Sequence, residues 1–276
     1  MNMVRILMVG SRGSNNEVAV EALRRRGLQV EYVERVKVPD LRRLRKFDVV
    51  YGVYLQTCSR YLAAAELLGK RTIIHFVGSD AYRYAREKGL RKLYWRGIVR
   101  ACDLILYVSP HLKGLVNRPG VVLPFPINVG LFERFRGERR PERDILYYCP
   151  SGGENARIYR LDWIRDYARR HPEEKITIIG SPAHPADYRF DLSNVEVIPY
   201  VPYEEMGEVY ARHRRLIRMT SEDGKPRMVD EALLCGLEVI YNGEEVREIP
   251  PERHPEVFAE KFCEELSKIL SRSPIG

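Results

Sequence analysis

Along the chain, short apolar runs alternate with longer segments whose apolar positions recur every three or four residues. Residues 4–9 are a nearly continuous apolar run that ends in the turn Gly10-Ser11-Arg12-Gly13-Ser14. Helical spacing then holds over 16–26, Gly27 stops it, and 28–36 predicts a second strand. Strands follow at 48–54 and 71–76, with an Ala- and Leu-rich helix at 58–68 between them, and the apolar runs at 103–109 and 121–126 continue the series. A charged, turn-rich stretch at 133–143, ERFRGERRPER, interrupts it. Strands are then predicted at 145–149, 175–180 and 195–198, with helices at 157–170 and 203–212. Residues 216–241, LIRMTSEDGKPRMVDEALLCGLEVIY, read as strand, polar loop, helix and strand. Pro226 suits the first helical position because its missing N–H would be unpaired there, and Gly236 stops the helix. A last helix at 256–271 carries Val257, Phe258, Phe262, Leu266, Ile269 and Leu270 at helical spacing. The alternation predicts an α/β protein of two halves. The boundaries are a first domain at 1–128, a linker at 129–144, a second domain at 145–250 and a closing helix at 251–276.

Composition narrows the class. The 276 residues are 45% hydrophobic, which suits a globular chain, and no apolar run approaches the 18 or so residues of a membrane span. The N-terminus enters a strand directly, so no signal peptide is expected and the predicted location is cytoplasmic. The five cysteines, Cys58, Cys102, Cys149, Cys235 and Cys263, form no C-x-x-C pair and read as reduced core residues. The net charge of +8 is divided unevenly. Residues 1–128 hold 23 basic and 10 acidic side chains, a net +13, whereas 129–276 hold 23 and 28, a net −5. A basic half attracts nucleic acid, an anionic bilayer or a phosphorylated substrate. Its cations gather in LRRLRKF at 41–47 and in 82–99, where they interleave with Tyr84, Leu90, Leu93, Tyr94, Trp95 and Ile98. Such stretches fit an anionic membrane surface with the aromatics at headgroup level, and equally a solvated face over a buried stripe.

Candidate chemistry lies at the predicted carboxyl ends of strands, where open α/β sheets bind ligands. Gly10 and Gly13 stand after the first strand, either as a tight βα turn or with their N–H groups near a phosphate. G-x-x-G is not the dinucleotide fingerprint, which needs G-x-G-x-x-G and an acid after the second strand. His75 closes another strand, in the string His75-Phe76-Val77-Gly78-Ser79-Asp80. Asp223 and Glu231 bracket a helix start, whose free N–H groups and partial positive charge suit a diphosphate. A carboxylate further along such a helix can accept both hydrogen bonds of a ribose diol. Zinc-ligand spacing, a P-loop, G-x-S-x-G and a D-x-D metal site are absent from the sequence, so neither a metal nor a cofactor is expected.

The stretch Asp223-Gly224, Glu231-Ala232, Gly236 resembles the acid-x7-acid motif of the retaining nucleotide-sugar glycosyltransferases of family 4, with Asp in place of the usual first Glu. His75 to Asp80 resembles that family's H-x-x-G-S-D segment, Asp103 to Ser109 its D-x-x-x-x-x-S, and Val122 to Pro126 its V-x-P-N-P, with Phe125 where Asn is usual. The resemblance implies the GT-B fold, two Rossmann-like domains facing each other across a cleft. It also implies a nucleotide-sugar donor in the second domain, with Glu231 on the ribose and Asp223 and Gly224 near the sugar and diphosphate. His75 would orient the sugar, and Gly10, Gly13, Gly78 and Asp80 would line the substrate site. Of the Arg and Lys that the family places after the first strand of the second domain, the Lys position falls near Tyr159 or Arg160 and the Arg has no clear equivalent, so Arg157 and Lys225 are the substitutes. The implied activity is retaining transfer. The lack of a D-x-D site makes metal-independent transfer the expectation, and the basic first half adds a lipid-linked or anionic acceptor and a peripheral position on the inner face of the membrane. Nucleic acid is not the expected partner. The other reading is a GT-B-shaped protein that binds a nucleotide or a polyanion without catalysis.

Overall fold

The computed structural model describes residues 3–11, 14–34, 38–149, 153–180, 185–198, 200–222 and 226–272. The chain forms two compact units, Met1–Ile127 with Pro250–Gly276, and Asn128–Ile249.

In the first unit the strands are β1 (Arg5–Gly10), β2 (Gln29–Glu34), β3 (Val49–Val53), β4 (Arg71–Phe76), β5 (Leu104–Tyr107) and β6 (Val121–Val122). Between them run α1 (Ser14–Arg25), α2 (Leu41–Leu44), α3 (Leu55–Leu67), α4 (Ser79–Arg86), α5 (Gly89–Ala101) and α6 (His111–Val116). The sheet order is β2-β1-β3-β4-β5-β6, and every pairing is parallel. The second unit holds α7 (Val129–Glu133), β7 (Arg143–Tyr148), α8 (Leu161–Arg170), β8 (Ile176–Ile179) and β9 (Val195–Ile198). It continues with α9 (Met206–Ala211), β10 (His213–Arg218), α10 (Arg227–Leu234), β11 (Glu238–Tyr241) and β12 (Glu244–Val246). Its sheet runs β12-β11-β10-β7-β8-β9, parallel except for β12, which is antiparallel to β11. The chain closes with α11 (Pro255–Leu270), which belongs to the first unit.

The period-two alternation of a buried strand divides the first unit's core in two. Ile6, Met8, Val49, Tyr51 and Ile73 pack with Ala19, Val20 and Leu23 of α1 and with Phe258, Phe262, Leu266 and Ile269 of α11. Leu7, Val9, Val50, Ile74 and Phe76 face the other way, onto Leu44 of α2, Leu62 of α3, Tyr84 of α4, Trp95 and Ile98 of α5 and Leu112 of α6. Thus α1 and α11 cover one face and α2 to α6 the other. The start and stop signals of α1 are electrostatic and conformational. Glu17 lies in its first turn and Arg24 and Arg25 in its last, and Gly27 follows at φ +83°.

Residues 82–99, for which the sequence pattern named no element, form two helices, broken where Glu87 and Lys88 are extended and Gly89 takes φ +65°. The structure differs from the sequence expectation where tertiary contacts decide. The stretch expected as a charged linker carries α7 and a 3-10 turn at Arg134–Arg136, with Phe132 and Phe135 buried. Arg136 and Arg139 donate to the carbonyls of Leu233 (3.2 Å) and Gly236 (2.5 Å), which satisfies the carboxyl end of α10. The helix expected over 157–170 starts only at Leu161, because Arg160 is left-handed at φ +49°.

Candidate functional site

The strand order of the second unit reverses between β7 and β10, and an open α/β sheet has its crevice outside the carboxyl ends of such a pair. There β10 ends on Arg218, a cation inside an apolar run and only 2% exposed. Its guanidinium donates to the carbonyl oxygen of Tyr148, the last residue of β7, and lies 5.3 Å from the centre of the Tyr148 ring and 4.6 Å from that of Tyr159. A planar cation between two aromatic faces is held by ring quadrupoles as well as by hydrogen bonds.

Backbone bonds draw four segments around this point. The Tyr147 hydroxyl donates to the carbonyl of Tyr159 at 2.7 Å, and Ser221 N–H donates to that of Ile158 at 3.0 Å. Thr220 N–H donates to Asn242 Oδ1 at 2.8 Å, and Asn242, left-handed at φ +51°, donates its own N–H to Arg218 at 2.9 Å. Asp223, Gly224 and Lys225 follow this loop and lie outside the described residues. Beyond them, α10 opens after Pro226 and carries Glu231, 3% exposed. Glu231 accepts from the hydroxyl of fully buried Tyr210 at 3.0 Å and is 3.4 Å from Arg227, one turn earlier, whose guanidinium lies 5.0 Å over the Tyr203 ring. Burial and the charge of Glu231 push the Tyr210 phenol well above its ordinary value, so it remains a donor. Burial pushes the Tyr148 phenol up to about 12, and its titration is coupled to the charges of Arg218, Arg227 and Glu231. The arrangement is an aromatic-walled edge holding two guanidiniums and one buried carboxylate. Arg157 is exposed nearby in sequence, its carbonyl accepting from Arg160 N–H at 3.2 Å.

In the first unit the expected residues are occupied with holding loops. A Cβ on Gly10 would lie 2.7 Å from Asn16 Nδ2, which donates to Ser11 O at 2.7 Å and to the Tyr32 hydroxyl at 3.1 Å. Gly10 is therefore a close-packing glycine, and Gly13 lies outside the described residues. Asp80 is fully buried and accepts from Val77 N–H and Gly78 N–H at 3.0 Å and from Leu55 N–H at 3.2 Å, tying the loops after β3 and β4 together. Burial raises its carboxyl to about 6, against the lowering effect of those N–H groups. Gly78 allows the turn at φ +132°, a conformation closed to side chains.

His75 is completely enclosed. Its Nε2 lies 2.8 Å from the carbonyl oxygen of Leu123, which can only accept, so Nε2 carries the proton. Nδ1 then accepts from the Tyr51 hydroxyl at 2.8 Å. Phe125 stacks beside the ring at 4.6 Å between centroids, and Phe262 of α11 lies against Tyr51 at 5.0 Å. Burial lowers the imidazole to about 3, and it stays neutral. Both nitrogens are engaged and no edge of the ring reaches the surface of its unit.

The sequence reading passed over Arg218, Tyr148, Arg227 and Tyr210, and named Tyr159 only as a residue near the family's usual Lys. One signal was available for Arg218, a cation interrupting the apolar run 216–220 immediately before the acid-bearing loop. Among the described residues no group of three or more His, Cys, Asp and Glu side chains is gathered as a metal site.

No family model matches the sequence, and no curated protein matches it. Solved structures do. Sucrose-phosphate synthase from Thermosynechococcus elongatus superposes with a TM-score of 0.63 at 13% identity, over 97% of this chain and 90% of that one. HepE from Anabaena, in complex with UDP and glucose, gives 0.63 at 10% identity, over 96% and 91%. UDP-N-acetylglucosamine 2-epimerase from Rickettsia bellii gives 0.58 at 9% identity, over 97% of each chain. With two Rossmann-like units in the same order along the chain, the protein has the GT-B fold of glycosyltransferases.

Proposed function

We propose that the protein is a retaining glycosyltransferase that moves a sugar from a nucleoside-diphosphate donor to a lipid-linked or anionic acceptor without a metal ion. The observation that carries this reading is Arg218, a fixed cation at the switch point of the second sheet, held between Tyr148 and Tyr159. In the transfer, the bond between the sugar's anomeric carbon and the β-phosphate oxygen breaks. The acceptor oxygen bonds to that carbon on the same face, and the acceptor's proton goes to the departing phosphate. Negative charge grows on the diphosphate, and preorganised cations stabilise it without reorganising at the moment of reaction. Arg218 and Arg227, with Lys225 and Arg157, supply that charge in this reading. Glu231, held by Tyr210 and Arg227, is the ribose carboxylate, and Asp223 and Gly224 lie beside the sugar. His75 supports the end of β4 from within the core, Asp80 fixes the loops after β3 and β4, Gly78 included, and Gly10 packs closely on Asn16 at the turn after β1. HepE, with UDP and glucose bound in its structure, supports a uridine nucleotide as the donor's carrier.

The second reading, a nucleotide- or polyanion-binding protein without transfer, is favoured by one observation, the complete enclosure of His75. A panel of UDP-, GDP- and ADP-sugars separates the two, with thermal shift and slow donor hydrolysis recorded on the same samples in the presence of EDTA. Transfer predicts a base-selective shift with hydrolysis that EDTA leaves unchanged. A shift without turnover, whatever acceptor is supplied, supports the binding protein. No shift with any donor removes the glycosyltransferase reading.

A further inference from the structure

The outward face of α5 has a composition that its packing does not explain. Trp95, Ile98 and Val99 point into the core, while Leu90, Leu93 and Tyr94 on the opposite side are 85%, 63% and 43% exposed. Helical geometry sets Leu90, Leu93 and Gly97 along one ridge, three and four residues apart, with exposed Arg96 and Arg100 on one flank and Tyr94 on the other. The helix contains no acid. Of its other cations, Arg91 is itself exposed but is engaged by Glu87 at 2.8 Å and lies over Trp95, and Lys92 lies over the Tyr84 ring. A single exposed leucine needs no account, but two on one ridge beside a tyrosine and two outward arginines form a patterned surface. A second exposed pair, Val38 and Leu41, stands next to Arg42, Arg43, Arg45 and Lys46. Leu44 of α2 and Trp95 of α5 enter the same core cluster, so both patches belong to one face of the first sheet.

We infer that this face of the first unit docks onto an anionic bilayer surface, with Leu90 and Leu93 entering the acyl boundary and Arg96 and Arg100 reaching lipid phosphates. Among the described residues no helix is long and apolar enough to cross a membrane, so the contact is interfacial. Charge complementarity selects this occupant. A second copy of the chain would bring the same acid-free ridge against itself, like charge against like, in a two-fold interface. A nucleic-acid backbone would engage the arginines and leave both leucines in water, burying nothing. Tyr94 at the flank suits the headgroup level, where an aromatic body and a hydroxyl are both satisfied. The docking does not depend on the transfer chemistry proposed above, and its test reads binding alone.

The test is sedimentation of the full chain with vesicles of phosphatidylcholine, and with vesicles containing an equal part of phosphatidylglycerol. The chain is expected to pellet with the anionic vesicles only, and less as salt is added. Leu90→Ser with Leu93→Ser lowers partitioning by at least roughly tenfold. Arg96→Gln with Arg100→Gln lowers it at low salt by about fivefold per cation removed. Both variants keep the melting temperature of the parent chain, since all four side chains are exposed. The inference is overturned by no anionic-vesicle binding, by equal binding to neutral vesicles, or by binding that survives the leucine change. It is also overturned if the leucine variant splits a dimer in sedimentation equilibrium, or if duplex DNA displaces the vesicles and binds that variant as well as the parent.

Discussion

Arg218 shows how one residue can carry a site. Its charge is expensive to desolvate, and two aromatic faces and the Tyr148 carbonyl hold it at the carboxyl edge of the sheet. Arg218→Lys keeps the charge and loses the planar stacking and fork, so donor hydrolysis is expected to fall about 10²-fold, as when one preorganised donor is removed. An unchanged rate in Arg218→Lys and Arg218→Gln would separate this residue from the chemistry. The two buried titrating groups of the first unit give opposite pH signs. His75 has its folded value lowered to about 3, so the unfolded chain takes up the proton first and stability drains away as pH falls from 6.5 toward 3. The full loss is roughly 4–5 kcal/mol. Asp80 has its folded value raised to about 6, so the folded chain protonates first and stability rises as pH falls from 6 toward 4. The slopes offset one another in that interval. Asp80→Asn removes the gain and leaves the loss, and urea unfolding at pH 7, 5 and 4 should show a steeper acid decline than the parent. Identical pH profiles for the two would refute the assignment.

At the scale of elements, α11 and the 3-10 turn at Arg134–Arg136 are both more than connections. Phe258 and Phe262 of α11 complete the core beside Tyr51 and Phe125, and buried Arg253, just before the helix, donates to the Phe125 carbonyl at 2.9 Å. Phe262→Ala is expected to cost about 3–5 kcal/mol of stability in the first unit. Because Tyr51 then loses a neighbour while holding His75 Nδ1, the His75 environment should loosen as well, seen as a rise of the imidazole titration by NMR. Gly207 of α9 is fixed by packing, since a Cβ there would come 2.1 Å from Phe135 Cε2. Gly207→Ala is expected to destabilise the second unit by about 1–3 kcal/mol through overpacking, whatever helix propensity it gains. Chemical denaturation that finds the variant as stable as the parent would show that Phe135 moves aside freely.

For the whole molecule, the strand order of each unit and the place where each order reverses decide where ligands can sit. The alternation of apolar runs with helical segments made the parallel strands of both sheets and most of their helices legible from the sequence, because strand and helix periods are local properties of a side chain's neighbours. β10 and α10, which flank the acid-bearing segment, were legible for the same reason. Two kinds of feature were not legible. Period-two alternation puts His75 on the same face as Tyr51 and Ile73, but its enclosure comes from Leu123 and Phe125, nearly 50 residues on, and from α11, which backs Tyr51 and Phe125 from some 180 residues later in the sequence. Likewise Arg218, Tyr148 and Tyr159 are separate in sequence and become one cation-binding edge only because β10 pairs with β7. The sequence by itself determined most of the elements and the uneven charge, both set by short-range chemistry. Tertiary structure alone decided which polar side chains are enclosed and which cation stands at the switch point, because burial and strand pairing join residues that no local pattern connects.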